Sequence, residues 1–262
     1  MPKLVASTTW CNCKERVVGR APRPAGFTIV DVLVTMAVIA ILVSLLAPSL
    51  TLVRESANQV MCRSNIRQAG LGIWMYAEHN KDRVPPSAYT TPDQLTDQPW
   101  ETGTLRLGSA TPTMPAGSWD GLGHLYEEDF LPAPKIFYCP SHRGANKYVE
   151  FAPAWAGAEG RINGNFQYRG RGPAVSASST LIGGLGIPFL SGMKPSAALV
   201  SDGMRTQSDF NHEVGANVLR ADNSVNWFND IDGRLAAMLP RDGQNPMRAT
   251  YLQAWEILDH PR

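Results

Sequence analysis

Strong charge of either sign is missing from this 262-residue chain, in which 24 Lys and Arg stand against 23 Asp and Glu. Once residues 1–26 are set aside the balance is 19 basic to 22 acidic, a net charge near −3. That leaves no electrostatic footprint for DNA or RNA, so no nucleic-acid partner is expected. Cysteine is scarce too, with four in all. Cys11 and Cys13 form a C-x-C pair with too few ligands for zinc, and no second Cys or His pair stands at usable spacing. There is no G-x-S-x-G elbow, H-E-x-x-H helix, phosphate-cradling loop or dinucleotide fingerprint, and no repeat at a fixed period. These absences remove the readily legible enzyme classes. The 44% hydrophobic content in turn excludes a disordered chain.

What is present is unevenly placed. Residues 1–26 hold Lys3, Lys14, Arg16, Arg20 and Arg23 against Glu15, a net charge of +4. From Phe27 to Val53 there are then 27 residues with one charge, Asp31. Such a run is long enough to cross a bilayer as a helix, and the basic flank belongs on the cytoplasmic side. No small-x-small cleavage site follows it, so the run is retained rather than removed as a secretory signal. A carboxylate within an apolar span costs on the order of 3 kcal/mol and is usually paired or functional. Asp31 also stands one turn into the helix, where its charge favours the positive end of the dipole. Pro48 removes one helical hydrogen bond, and Ser44 and Ser49 are placed to satisfy freed backbone groups.

The stretch Ala25, Gly26, Phe27, Thr28, Ile29, Val30, Asp31 resembles the prepilin processing motif of type IV pilin-like proteins and type II secretion pseudopilins. The resemblance implies a leader, residues 1–26, cut between Gly26 and Phe27. Phe27 then becomes an N-methylated terminus, and Asp31 meets that amine on a neighbouring subunit. The family usually has Glu where this chain has Asp31. Pilins also commonly carry a proline at the offset of Pro48.

Beyond Arg54, Cys62, Ile66, Ala69, Ile73 and Tyr76 recur at helical spacing, predicting that one helix continues to about Asn80 before Pro85-Pro86. The boundaries expected are a transmembrane helix over 27–53, an amphipathic stalk over 54–84 and a head over 85–262. Residues 87–118 read as a surface loop, and a short helix is expected over Leu122–Asp129. Strands are expected at Lys135–Cys139, Ala198–Ser201, Asn217–Ala221 and Ser224–Trp227, the last two joined as a hairpin at Asp222-Asn223. Only scattered short strands are expected over 141–195, and a helix near Leu252–Leu258. The fold class is α+β, a long transmembrane and stalk helix packed on a small antiparallel-sheet head.

His212 followed after nine residues by Asp222 is similar to the His-x9-Asp-Gly signature of planctomycete-type pilin-like proteins, with Asn223 in place of Gly. Asn enters the positive-φ region such a turn needs more readily than most residues. Cys62 with Arg63-Ser64-Asn65, and Tyr138-Cys139-Pro140-Ser141, are also similar to that group. In an oxidising compartment Cys62 and Cys139 either form a disulfide joining helix to head or remain two buried free thiols.

His212, Asp222, Asp202 and Ser201 are the residues a hydrolytic site would use. The plainer reading has His212 and Asp222 hydrogen-bonding backbone around the hairpin. Some pilin-like heads bind calcium, and Asp202, Asp222, Asn223 and Asn226 are the oxygen-bearing candidates; no other cofactor is expected. Together these implications describe a non-enzymatic pseudopilin in a bacterial inner membrane, N-terminus cytoplasmic and head periplasmic. Its partners are a prepilin peptidase/methyltransferase, other pilin-like subunits, an assembly platform and membrane lipid. The alternative is a membrane-tethered periplasmic binding module that is processed but does not assemble.

Overall fold

In the computed structural model of the chain, residues 26–90, 98–112, 114–157, 159–170, 189–212, 214–244 and 247–260 are described. Residues 1–25 of the expected leader, with Cys11 and Cys13, lie outside them, as do 91–97 within the expected loop and 171–188 within the expected short strands. The chain divides into two compact units, Met1–Ser49 and Leu50–Arg262.

The described part of the first unit is helical from Ile29 on. Helix α1 (Ile29–His79) begins in it and continues into the second unit. Its start is fixed by a reciprocal cap. The Thr28 N–H and hydroxyl donate to Asp31 Oδ2 at 2.9 and 2.8 Å, and the Asp31 N–H donates back to Thr28 Oγ1 at 3.2 Å. Ser44 and Ser49 donate to the carbonyls of Ile41 and Leu46, one turn back, and so do not serve the carbonyl that Pro48 leaves free. Among the described residues α1 is the one helix long and apolar enough to cross a membrane, and none of that apolar window is buried within the chain. This fits a single-pass membrane protein.

In the second unit α1 buries the expected stripe: Cys62, Ile66, Ala69 and Ile73 are fully buried and Tyr76 nearly so. Met75, next to Tyr76, is half exposed, because its neighbour takes the inward position. The helix ends before the prolines. Lys81 and Asp82 both adopt left-handed backbone, and the Asp82 N–H closes the end on the Ala77 carbonyl at 2.7 Å.

After α1 come β1 (Thr104–Arg106), α2 (His124–Glu127), α3 (Tyr148–Ala156), β2 (Ile162–Asn163) and β3 (Phe166–Tyr168). The chain then runs through β4 (Ala198–Asp202), β5 (Gly215–Arg220), β6 (Val225–Asn229), α4 (Arg234–Met238) and α5 (Arg248–Asp259). Strands β3-β4-β5-β6 form one antiparallel sheet in sequence order, and β1 pairs with β2. The fold is therefore α+β, as expected. The hairpin is also as expected: Leu219 pairs with Val225, and Asn223 takes φ 64° in the turn.

The sheet lies between two helical layers. On one face Tyr168, Val200, Leu219 and Val225 join the core built on α1. On the other, Ala216, Val218 and Phe228 pack with Leu235 of α4 and with Tyr251, Ala254, Trp255 and Leu258 of α5. The strand period of two divides β5 between them, Ala216 and Val218 to one side, Asn217 and Leu219 to the other.

Three local expectations change. Lys135–Cys139 is not a strand: Pro134 opens a 3-10 turn over Pro134–Phe137, with Ile136 N–H on Ala133 O and Tyr138 N–H on Lys135 O. Helix α3 stands where only short strands were expected, and carries Pro153 in its interior. Within the expected loop, Thr104–Arg106 forms β1. There the Arg106 guanidinium donates at 2.6–2.9 Å to the carbonyls of Ala154, Gly157, Glu159 and Gly160 at the end of α3.

Candidate functional site

Four segments converge on one buried point of the second unit. Helix α1 supplies Cys62. The turn after Pro134–Phe137 supplies Cys139. The end of β4 supplies Asp202, and the loop entering β5 supplies His212. One ligand-type atom from each lies within 4.8 Å of all the others, and all four residues are buried.

The contacts are specific. The Cys62 thiol donates to Asp202 Oδ1 at 2.6 Å. His212 Nε2 lies 3.5 Å from both Cys139 Sγ and Asp202 Oδ2. The other ring nitrogen, Nδ1, lies 2.6 Å from Glu55 Oε1, and Glu55 Oε2 accepts from the Ser141 hydroxyl at 2.8 Å. Asn217 donates to Asp202 Oδ2 through its backbone N–H and its side-chain amide, at 2.5 and 3.1 Å. The Cys139 N–H is held by Asn165 Oδ1 at 2.6 Å, and the edge of Trp227 closes over the His212 ring.

Electrostatics separates the two thiols. Burial pushes the Cys62 thiol well above its usual range, assisted by its interaction with Cys139 as acceptor and by the Asp202 charge. Burial acts the same way on Cys139, but its hydrogen bonds to Cys62 and His212 outweigh it and hold that thiol below its usual value. Burial also raises Asp202 against the opposing pull of His212, Cys62 and Asn217. For His212, desolvation works to lower the pKa, yet Cys139, Asp202 and Glu55 together bring it up to about 9. Cys139, His212 and Glu55 thus stand in the order thiol, imidazole, carboxylate, which activates a nucleophile where the sulfur is open to substrate. Here Cys139 is 4% exposed and the His212 side chain 0%. The arrangement suits an object of atomic size better than a substrate.

The residues expected from sequence divide accordingly. Cys62 and Cys139 are brought together, but as free thiols and not as the disulfide; each sulfur turns to the polar partner beside it, Asp202 or His212. His212 bonds side chains rather than backbone. Asp222 lies beyond the far end of β5, exposed, with Oδ1 accepting from the Ser224 N–H at 2.9 Å, and the Ser224 hydroxyl, with that N–H, holds its carboxyl below the usual range. The His212–Asp222 hydrolytic pair is therefore not assembled, and Ser201 Oγ is buried with no hydrogen-bond partner among the described residues. The calcium candidates are not gathered either. Asp202 lies inside the thiol cluster, whereas Asn226 is exposed and bonds Ser224 across its own turn. Gly26 and Phe27 are exposed at the start of the described chain. Asp31 caps its own helix.

Sequence reasoning missed Glu55 and the pairing of the cysteines with Asp202 and His212. Glu55 had a signal, since it stands two helical turns before Cys62 on the face that carries the stripe. A second polar cleft is lined by Trp100, His142, Asn165, Gln167, Arg205 and Asp209. No family model matches the chain, and neither the curated proteins nor the solved structures searched contain a match.

Proposed function

We propose that this chain is a membrane-anchored, pilin-like structural subunit. It is cut after Gly26 by a prepilin peptidase, methylated on Phe27, and drawn by an assembly platform into a short helical filament. The observation that carries the reading is α1 itself. An apolar segment with no buried residue among the described ones starts at a Thr28–Asp31 cap and continues as the helix whose stripe, from Cys62 to Tyr76, builds the core of the second unit. Filaments of this kind grow by heterologous packing of one helix on the next, and an unpartnered apolar helix is what such packing requires. No reaction is assigned to the chain; the peptidase acts on it. The second reading, a tethered module that never assembles, draws on the polar cleft at Trp100, His142 and Asp209, which offers a small ligand hydrogen bonds.

Processing is the first test. N-terminal sequencing of the membrane-extracted protein is expected to begin at methylated Phe27, and Gly26→Val to leave residues 1–26 attached, because a branched side chain replaces the small residue at the scissile bond. A mature terminus elsewhere, or normal cleavage of Gly26→Val, contradicts the assignment.

A further inference from the structure

We infer that Cys62, Cys139, Asp202 and His212 bind one divalent metal ion of the zinc class, in a closed tetrahedral site that fastens α1 to the sheet. The donor set is complete: two sulfurs, one imidazole nitrogen and one carboxylate oxygen are what a structural zinc site takes. Zinc bonds of about 2.0–2.3 Å at tetrahedral angles put neighbouring ligand atoms roughly 3.4–3.8 Å apart. The two 3.5 Å separations from His212 Nε2, to Cys139 Sγ and to Asp202 Oδ2, are edges of that size. An N–H···O hydrogen bond would draw Nε2 and Oδ2 closer, to about 2.7–3.2 Å. The 2.6 Å contact of Cys62 with Asp202 is the edge that opens, by about 1 Å, when both atoms turn to a shared ion.

The surroundings are those of a ligand shell. Glu55 occupies His212 Nδ1, which leaves Nε2 facing the cluster, and a carboxylate behind a histidine is the usual outer partner of a metal-bound imidazole. Asn217 fixes Asp202 with two donors, and Asn165 fixes the Cys139 backbone. Burial supplies the driving force: a carboxylate and two sulfurs held away from water gain most from a cation among them. Binding breaks two S–H bonds and forms two metal–sulfur bonds, with two protons passing to solvent and a third from His212 where it is protonated. No electron moves and no oxidant is required. The four ligands leave no open position, so the role is structural, and Glu55 is a positioning residue. The inference rests on the second unit alone and holds whether or not the chain assembles.

The experiment uses the full chain in detergent with Cys11→Ser and Cys13→Ser, so that two thiols remain, after phosphine reduction and removal of the phosphine. One Zn²⁺ per chain is expected. Co²⁺ in its place should give thiolate-to-metal charge transfer and the strong visible bands of tetrahedral cobalt. Both thiols should resist alkylation until a chelator is added, which lowers the Tm, and Zn²⁺ should restore both properties. Glu55→Gln should keep the stoichiometry and weaken affinity about 10- to 100-fold. Cys139→Ala should weaken the charge-transfer band, leaving only the contribution of the Cys62 sulfur; where that variant fails to fold, the chelation and Zn²⁺ restoration of the native chain decide. Binding of Co²⁺ without a sulfur band, no metal bound at saturating Zn²⁺, or a Cys62–Cys139 disulfide in chain purified without reductant each overturns the inference.

Discussion

Gly70 of α1 lies directly against Asn223 of the hairpin turn: a Cβ on Gly70 would stand 2.3 Å from Asn223 Oδ1 and 2.6 Å from Leu219 Cδ1. The α1 backbone therefore meets side-chain ends of the hairpin, and Asn223 stands there with left-handed backbone. Gly70→Ala is expected to destabilise the second unit by about 2 kcal/mol, overpacking outweighing the roughly 1 kcal/mol gain in helix propensity. At Gly72 the nearest atoms, side-chain carbons of Leu125 and Leu131, stand further off at 3.1–3.2 Å, so Gly72→Ala should stay within about 1 kcal/mol of native. Urea titration followed by tryptophan fluorescence compares them; equal midpoints would refute the close approach.

Asp31 has two jobs to separate, capping Thr28 and carrying charge. Asp31→Asn keeps an acceptor for the cap and loses the charge, whereas Asp31→Ala loses both. If the carboxylate meets the Phe27 amine of a neighbour, both variants should insert and be cleaved but lose crosslinks between adjacent α1 helices, and Asp31→Glu should crosslink at least as well as native. Native yields from Asp31→Asn would assign the residue to capping alone.

Asp120 is fully buried, accepting from the Ala88 N–H at 2.6 Å and the Ser87 hydroxyl at 3.0 Å. Burial outweighs these bonds and raises its pKa from 3.8 to about 6. The folded state therefore holds a proton that the unfolded chain has already released, and stability falls as pH rises through the window from 3.8 to about 6. The full effect is about 3 kcal/mol at about 1.4 kcal/mol per pH unit. Asp120→Asn should flatten this part of the profile, which denaturation at about pH 4 and about pH 6, near the two ends of that window, would read. An unchanged slope would show that Asp120 does not carry it.

Among the described residues Arg106 gathers four carbonyls and no carboxylate, so its planar fork matters more than its charge. Arg106→Lys keeps the charge but cannot reach all four acceptors, and is expected to cost about 3 kcal/mol in the same denaturation assay. A cost below about 1 kcal/mol would mean that water replaces the fork.

Parts of this were legible because they are written in local periods. The stripe from Cys62 to Tyr76 repeats every three or four residues, and the β5–β6 hairpin alternates about a turn that Asn223 can enter. Lys135–Cys139 misled because its Ile-Phe-Tyr run looks extended, while Pro134 sets the backbone into a 3-10 turn. The buried cluster was illegible for another reason. Cys62 and Asp202 are 140 residues apart and Cys139 and His212 are 73 apart, separations that no short motif contains. Asp202 and His212 could be noticed singly, but Asp222 sits closer to a family signature and drew them into the wrong grouping.

Those separations also set a clock. Cys62 emerges early in synthesis and meets Asp202 only after 140 further residues, roughly 7–30 s at about 5–20 residues per second. Throughout that interval its sulfur is a lone thiol, open to whatever oxidant or foreign cysteine is nearby. The cluster consequently cannot close before His212 has been made, and β6, α4 and α5 are still to follow it.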